Sequence, residues 1–437
     1  MKHLWRIFTG LAIAALFSLT IAQGNPPLII AMWSGPEFDN LRKIEPIYEA
    51  KFGQALEIEE IARDPYLQVI TTSLLSGAPR WDVVYGDTAW LPALVQAGVV
   101  QSLMPFITDP NVADPNLNLA EKSTGLDATT FNGEIYGFPT EGDTTYLFYR
   151  KDLLDQAGLQ VPQTWDEFLQ ATIALTQDTN GDGRTDVYGT TIGARGTQSA
   201  FWSFEHYFFS FGGEFLDENN QPAINNEVGI QALTFYADLR HRYMVVPPDV
   251  GSYGYTDNNI AFQQGRAAMM VQWMAAVGEL ADCSLSPLVC DKFGIAPVPW
   301  RLENGQLVRE TGGSQWAWFI PAASTNQVAA YKFIEWITSV EGATLWALNG
   351  GIPTNTTVLT DPQVVAGSPL QHFALLAEVF PGRNLPPNTV VTNELLDIFA
   401  AAVHEAVVGT KAPQEALDEA AARMREVLAG AGLTPTS

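Results

Sequence analysis

Short apolar runs alternate with helical periodicity in the first hundred residues. Residues 28–32 form a continuous apolar run, which is typical of a strand buried on both faces of a sheet. Two more strands are predicted near residues 56–60 and 81–85, and helices are predicted to follow the three strands at 40–52, 66–75 and 89–96. This order predicts a parallel sheet with helices on both faces, which binds ligands at the carboxyl ends of its strands.

The remainder of the chain mixes strands with long helices. Thr164 and Glu167 have the spacing of a capping box at a helix start. Further strands are predicted at residues 146–149, 267–272, 293–299 and 314–321, and helices at 151–157, 200–211, 228–242 and over most of 369–428. Two lobes with several crossings explain this interleaving better than tandem domains. We expect one lobe to comprise residues 23–138 and 293–349, and the other 139–292 and 350–437.

The amino terminus has the pattern of an export signal. Lys2 and Arg6 precede an apolar core at residues 11–21, and the small residues Thr20 and Ala22 favour cleavage after Ala22. No cysteine lies at the cut, so no lipid anchor is indicated, and no later run is apolar enough to span a membrane. We therefore expect residues 1–22 to be a signal peptide and the protein to be periplasmic or secreted.

Composition narrows the possible partners. The chain has 437 residues, of which 47% are hydrophobic and 16% charged, and this excludes a long disordered chain. There are 48 acidic against 23 basic residues, a net charge of −25, and no basic stripe that could neutralise phosphates. We expect no nucleic-acid binding, and the acidity favours solubility.

Two cysteines, Cys283 and Cys290, are the only ones in the sequence. In an exported protein this pair is expected to form a disulfide that closes a small loop. The alternative is two free buried thiols. No further ligands are spaced for a zinc site.

Several short motifs carry a family resemblance. Residues 136–139 (Tyr-Gly-Phe-Pro), Asp143 and residues 147–154 (Leu-Phe-Tyr-Arg-Lys-Asp-Leu-Leu) resemble the first inter-lobe crossing of bacterial solute-binding proteins of sugar ABC transporters. The maltose/trehalose-binding branch is the most similar. Supporting segments follow in order at residues 81–91, 261–270, 311–314 and 350–353. The resemblance covers essentially all of the mature chain.

This resemblance implies a fold and a function. The fold would be the two-lobed α/β periplasmic-binding-protein fold, in which each lobe is a mainly parallel sheet flanked by helices and a hinge joins the lobes. The protein would capture a sugar, here a di- or oligosaccharide, between the lobes and deliver it to an ABC transporter permease. It would act as a monomer and would require no cofactor.

Sugar recognition suggests which residues would touch the ligand, because aromatic rings cover the apolar faces of a pyranose while carboxylates and arginines bind its hydroxyls. Trp33 and Glu37 follow the first strand, and Asp87 ends the third, where it could also cap the next helix. Asp143 lies in a polar stretch at the expected hinge. With the family's positions included, the predicted contacts are Trp33, Glu37, Arg63, Asp87, Asp143, Trp273, Gly313, Ser314, Trp316 and Arg383.

Each candidate has a plainer alternative. Trp33 and Trp273 could be core residues, and Arg63 could be a surface arginine. The family branch commonly has Trp directly after the Gly pair that ends at Gly313, whereas this chain has Ser314. Trp316, two residues on and hence on the same strand face, could substitute for the missing ring. Trp273 and Arg383 are expected from one lobe and most other contacts from the opposite lobe.

A second polar cluster has the pattern of a calcium loop. Gly183 occupies position 6, and oxygen side chains occupy positions 1, 3, 5 and 9, namely Asp178, Asn180, Asp182 and Asp186. Position 12 is Gly189 rather than Glu, so Glu205 or Glu214 would have to complete the site. A structural calcium ion is one reading, and an Asx-turn loop without metal is the other.

Enzyme motifs are scarce. The sequence has no G-x-S-x-G elbow, no H-E-x-x-H and no Walker A loop, and four of its histidines are isolated. Glu37, Asp87 and Asp143 could supply the carboxylate pair of a glycoside hydrolase, which is the alternative function. A surface adhesin is disfavoured because nothing repeats and no anchor is present. The sequence therefore predicts a binding protein, not an enzyme.

Overall fold

A computed structural model describes residues 26–78, 80–119 and 125–433. The predicted signal peptide, residues 1–22, lies outside these ranges, so its prediction stands as made. Across the described ranges, no helix has both the length and the apolar character needed to cross a bilayer.

The strands are short except for one that runs through the middle of the molecule. In chain order they are β1 (Leu28–Trp33), β2 (Leu56–Ile61), β3 (Val83–Asp87), β4 (Thr130–Phe131), β5 (Glu134–Ile135), β6 (Gly137–Arg150), β7 (Tyr188–Thr191), β8 (Ala267–Trp273), β9 (Phe293–Pro297), β10 (Arg301–Glu303), β11 (Gln306–Val308), β12 (Thr311–Phe319) and β13 (Arg383–Asn384).

The helices alternate with the strands and dominate the carboxyl end. They are α1 (Pro36–Phe52), α2 (Tyr66–Leu75), α3 (Leu91–Gln96), α4 (Met104–Ile107), α5 (Lys151–Ala157), α6 (Trp165–Leu175), α7 (Gln198–Ser210), α8 (Glu227–His241), α9 (Tyr255–Gln263), α10 (Ala276–Ala281), α11 (Gln327–Ile337), α12 (Val340–Leu348), α13 (Thr356–Leu359), α14 (Pro362–Gly367), α15 (His372–Val379), α16 (Thr392–Val408) and α17 (Pro413–Gly430).

Local sequence explains where these helices begin. The capping box of α6 is present, with Thr164 accepting from the Glu167 backbone and Glu167 accepting from the backbone of Thr164. Helix α1 begins at Pro36 rather than at residue 40, because proline is tolerated in a first turn and Glu37 suits the positive end of the helix dipole. Glu37 is thereby held next to the end of β1.

The main sheet is mixed. Its order is β2-β1-β3-β12-β6-β8-β7. Strand β1 runs parallel to β2 and β3, and β7 runs parallel to β8, as the alternating pattern predicts. The parallel strands of each lobe are joined through β12 and β6: β12 pairs antiparallel with β3 and with β6, and β6 pairs antiparallel with β8 and β9.

Two separate hydrophobic cores define the two lobes, and the two-lobed α/β fold is confirmed. The core of the first lobe is built from residues 28–138 and 316–346, and that of the second lobe from residues 146–300 and 343–428. The predicted boundary at residue 293 is too early, because Phe293, Val298 and Trp300 pack in the second core and β9 pairs with the second half of β6. The chain returns to the first lobe along β12.

Hydrogen bonds tie three crossings together between the lobes. Trp318 on β12 donates from Nε1 to Thr140 Oγ1 on β6 at 2.8 Å. Thr354, in the third crossing, donates from Oγ1 to the Pro139 carbonyl at 3.0 Å. Tyr85 donates to Glu141 Oε2 at 2.8 Å. These buried bonds fix β3, β6, β12 and the segment at Thr354 relative to each other.

Cys283 and Cys290 are joined in a disulfide that closes the loop after α10. The alternative of two free thiols therefore does not apply to this structure.

Candidate functional site

A cleft of about 590 Å³ lies between the two lobes. The first lobe lines it with residues from the ends of β1, β3 and β12, and the second lobe with residues from α7, α9 and the end of β8. Eight of the ten predicted contacts line this cleft: Trp33, Glu37, Arg63, Asp87, Asp143, Trp273, Ser314 and Trp316. Their proximity follows from the structure, while their roles as ligand contacts remain predictions.

Trp33 and Glu37 form one corner of the cleft. Trp33 is the last residue of β1, and its Nε1 donates to Glu37 Oε2 at 2.9 Å in a buried hydrogen bond. Burial raises the pKa of Glu37, and the nearby Arg63 guanidinium opposes that rise. Trp33 also packs in the hydrophobic core of the first lobe, so the same side chain belongs to the core and lines the cleft.

Aromatic rings form a wall on each side of the cleft. On the first lobe, Trp316 lies 4.1 Å from Trp33 between ring centroids and 5.4 Å from Trp90 in an edge-on arrangement. On the second lobe, Trp273 lies 6.1 Å from Trp202. Two opposed ring surfaces of this kind can cover both apolar faces of a flat polar ligand.

Asp87 and Asp143 place two buried carboxyl groups in the lining of the cleft. Asp87 caps the turn that follows β3, because its carboxylate accepts from the Ala89 backbone N–H at 2.9 Å. The predicted capping role and a position in the cleft are therefore both present. It is 4% exposed, and burial raises its pKa to about 7. Asp143 is 7% exposed and accepts from the Thr144 backbone at 2.9 Å. Burial raises its pKa well above the ordinary value, with Arg63 and Arg383 opposing.

Arg63 crosses the cleft between two rings. Its guanidinium carbon lies 3.6 Å from the Trp33 ring centroid on the first lobe and 4.4 Å from that of Tyr255 on the second. Burial lowers its pKa, and the nearby Glu37 carboxyl opposes the change most. The guanidinium therefore contacts one ring from each lobe, and its N–H groups can donate to hydroxyls.

A second arginine links the lobes at the rim. Arg195 of the second lobe bonds Asp64 of the first lobe at 2.8 Å and Asp257 of its own lobe at 2.5 Å. Arg195, Trp202 and Tyr255 also line the cleft and were not predicted from the sequence. Arg195 lies four residues after the end of β7. Trp202 lies within α7 and Tyr255 is the first residue of α9, and aromatic residues in such helices are expected to pack in a core.

Gly313 and Arg383 are not among the residues that line the cleft, and their roles as ligand contacts remain predictions. Arg383 begins β13, which pairs with β12, and it donates to the Ser314 carbonyl at 3.4 Å and to Gln315 Oε1 at 3.1 Å. A Cβ at Gly313 would stand 3.1 Å from the Asp143 carbonyl, so glycine allows the close approach of these strands. Both residues position Ser314 and Asp143.

The proposed calcium loop folds on its own hydrogen bonds. Both oxygens of Asp178 accept from backbone N–H groups, of Gly181 at 2.6 Å and of Gly183 at 2.8 Å. Within the described residues, no group of three or more His, Cys, Asp or Glu side chains is arranged to hold a metal ion. Glu205, a suggested extra ligand, is fully buried against β12. This geometry favours the Asx-turn alternative, and calcium stays a prediction.

Proteins similar to this chain are solute-binding proteins. Residues 36–344 match the family described as bacterial extracellular solute-binding protein. A putative binding protein of Brucella abortus is 25% identical over 97% of both chains, and the mannitol-binding protein of Pseudomonas aeruginosa is 27% identical over 75% of this chain and 72% of its own. The maltose-bound MalE3 protein of T. maritima superimposes with a TM-score of 0.81 and 25% identity, covering 92% of this chain and all of that one.

Proposed function

The chain belongs to the bacterial extracellular solute-binding proteins, and from that premise we propose that its solute is a sugar or polyol. We propose further that the solute has the size of a di- or oligosaccharide and passes from the cleft to the permease of an ABC transporter. The family is extracellular, which implies a periplasmic or secreted location. A signal peptide at residues 1–22, the absence of a lipid anchor and a monomeric state are parts of this proposal.

One observation supports the proposal most strongly: the same cleft combines opposed indole surfaces with buried carboxyl groups. Trp33 and Trp316 line the cleft from one lobe and Trp273 from the other, and Asp87 and Asp143 line it as well. Sugar C–H faces stack on indole rings, and hydroxyl rims donate to carboxylates. A volume of about 590 Å³ suits a ligand of several rings or one ring with waters.

The relatives bind ligands of this chemistry. Mannitol and maltose, named for the Pseudomonas and T. maritima proteins, share a dense set of hydroxyl groups and no net charge. They differ in length and in ring closure, so their common feature is the hydroxyl pattern. We therefore assign this chain to polyhydroxylated solutes as a class.

Capture would proceed by closure of the lobes. Arg63 contacts rings from both lobes, and the Arg195–Asp64 pair spans the rim. A ligand that touches both walls favours the closed arrangement by its differential contacts. Residues of both lobes contribute to binding in this mechanism, and no bond of the solute is broken.

The first test is a thermal-shift and calorimetric screen of the mature protein with maltose, maltotriose, trehalose, sucrose, mannitol and ribitol. We expect at least one of them to bind with one-to-one stoichiometry and to raise the melting temperature. A folded protein that binds no carbohydrate and no polyol would contradict the proposal.

A second measurement separates the receptor from the glycoside-hydrolase alternative. The bound sugar is incubated with the protein for a day and then analysed by chromatography. A binding protein returns it intact, whereas a hydrolase releases shorter products through its carboxylate pair. Family membership favours the first outcome, because this family consists of binding proteins.

A further inference from the structure

The cleft continues from its aromatic walls into a part lined by uncharged polar side chains. The Arg195–Asp64 bond of 2.8 Å brings two helix starts opposite each other, because Asp64 lies two residues before α2 and Arg195 lies three residues before α7. Six cleft-lining residues of α2, α7 and the first turn of α16 are defined here as the polar zone: Gln68, Thr71, Thr72, Gln198, Ser199 and Asn393. None of the six has an aromatic ring, so this zone differs chemically from the indole walls.

The first-lobe side of the polar zone is one face of α2. Gln68 lies three residues before Thr71 and four before Thr72, so the three side chains share a face of the helix. Ile70 and Leu74 on another face are buried in the core of the first lobe. Packing of the apolar face therefore holds the amide and the two hydroxyls against the cleft.

The second-lobe side is fixed by a bond between two helices. Gln198 donates from Nε2 to the backbone carbonyl of Asn393 at 3.2 Å, which joins the first turns of α7 and α16. The side-chain amide oxygen of Asn393 is buried, and among the described residues it has no hydrogen-bond partner. A buried acceptor without a donor costs free energy, so a hydroxyl that donates to this oxygen would add to binding.

The polar zone adjoins the aromatic walls on both lobes. On the first lobe, the ring of Tyr66 at the start of α2 lies 5.9 Å from that of Trp90 between centroids. Helix α16 contacts the turn at residues 88–90, which contains Trp90. On the second lobe, Trp202 follows Gln198 by four residues on α7, and both line the cleft. A solute held by the indoles can therefore extend into the polar zone without leaving the cleft.

We propose that the solute has at least two sugar units, one stacked on the indoles and the next bound through its hydroxyls by the polar zone. The inference rests on the proposed function and assigns the residues that select for solute length. Amide and hydroxyl side chains both donate and accept hydrogen bonds, as sugar hydroxyls do. Since the polar zone offers no ring, it holds the second unit by its hydroxyl rim rather than by its faces.

The first test compares short and long solutes by calorimetry. The one-unit solutes are glucose, fructose, mannitol and ribitol, and the longer solutes are maltose, maltotriose, trehalose, sucrose and maltitol. We expect the tightest longer solute to bind at least about 10-fold more tightly than the tightest one-unit solute, as a few additional hydrogen bonds would give.

Variants assign this gain to the polar zone. The double variant Gln68→Ala, Thr72→Ala and the single variant Asn393→Ala should each weaken binding of the tightest longer solute about 3- to 10-fold. Binding of one-unit solutes should change less than about 2-fold, and the melting temperature without ligand reports any structural effect. Ser73→Ala is the matched control, because Ser73 lies on α2 but does not line the cleft. It should bind every solute as the wild type does.

The outcomes separate the two proposals. If a one-unit solute binds as tightly as every longer solute or more tightly, the inference about length is wrong and the proposed function stands. If the polar-zone variants bind the longer solute as the wild type does, or weaken short and long solutes equally, the polar zone does not hold a second unit. If the folded protein binds none of these solutes, both proposals are wrong.

Discussion

Replacing Arg63 with methionine should weaken ligand binding through lobe closure. The guanidinium carbon lies 3.6 Å from the Trp33 ring centroid and 4.4 Å from that of Tyr255. Only the second contact joins the lobes, because Trp33 and Arg63 belong to the same lobe. A partly desolvated cation–π contact contributes about 1–2 kcal/mol. If that free energy is lost from the closed state alone, the dissociation constant rises roughly 5- to 30-fold.

A double-mutant cycle isolates the contact from any direct role of Arg63 in binding the solute. Calorimetry would compare the wild type, Arg63→Met, Tyr255→Leu and the double variant, with the best ligand of the screen. We expect a coupling free energy of about 1 kcal/mol or more. Arg42→Met is the control, because Arg42 lies half-exposed on α1, where it forms an ion pair with Glu45. It should bind as the wild type does.

Additive effects of the two substitutions on the binding free energy would contradict this role of Arg63. If the effects of Arg63→Met and Tyr255→Leu add to within about 0.3 kcal/mol, the two side chains do not act together in the closed state. Arg63 would then act only as a direct contact, as the sequence alone suggested.

Three further predictions concern stability. Burial raises the pKa of Asp87 from 3.8 to about 7, so the stability that its protonated form contributes is complete below about pH 4 and is lost as the pH rises through 7. Urea unfolding of the wild type and of Asp87→Asn should therefore show that the wild type loses up to about 4 kcal/mol relative to the variant between pH 4 and pH 8. Stability curves of the two proteins that stay parallel over this range would contradict the prediction. Replacing Cys283 and Cys290 together by serine removes a cross-link between residues seven positions apart, and the lost restriction of the unfolded chain should lower the free energy of unfolding by about 2.5 kcal/mol. An unchanged denaturation midpoint would argue against this stabilisation by the disulfide. Since the Asp178 loop is held by its own hydrogen bonds, exchanging calcium for a chelator should shift the melting temperature by less than about 2 °C; a larger rise that disappears in Asp182→Asn would restore the calcium site.

The parts of the site that follow apolar strands could be predicted from the sequence. Trp33 and Asp87 stand where continuous apolar runs end, and strand ends of a parallel sheet lie at one edge. Asp143 was identifiable because a polar stretch interrupts two apolar segments within β6. For these three residues, the pattern of the neighbouring sequence was enough to predict a position in the cleft.

The opposite wall could not be predicted in the same way. Trp202 and Tyr255 lie on helices of the second lobe and reach the cleft only through the packing of that lobe against the first. For Arg383 the loop motif indicated a position in the chain but not the direction of the side chain, which donates to the Ser314 carbonyl and to Gln315 on β12. Side-chain direction depends on the pairing of β13 with β12, which no local pattern encodes.

Titration calorimetry of the sugar and polyol panel, run in parallel on the wild type and on Asp143→Ala, would decide whether this cleft holds the solute. Asp143 lies on the strand that crosses between the lobes and faces the cleft. The account predicts saturable one-to-one binding of at least one polyhydroxylated ligand by the wild type. It also predicts a loss of about 2 kcal/mol or more in the variant, roughly 30-fold in affinity. Binding that is unchanged in a folded Asp143→Ala protein would contradict the claim that this cleft holds the solute.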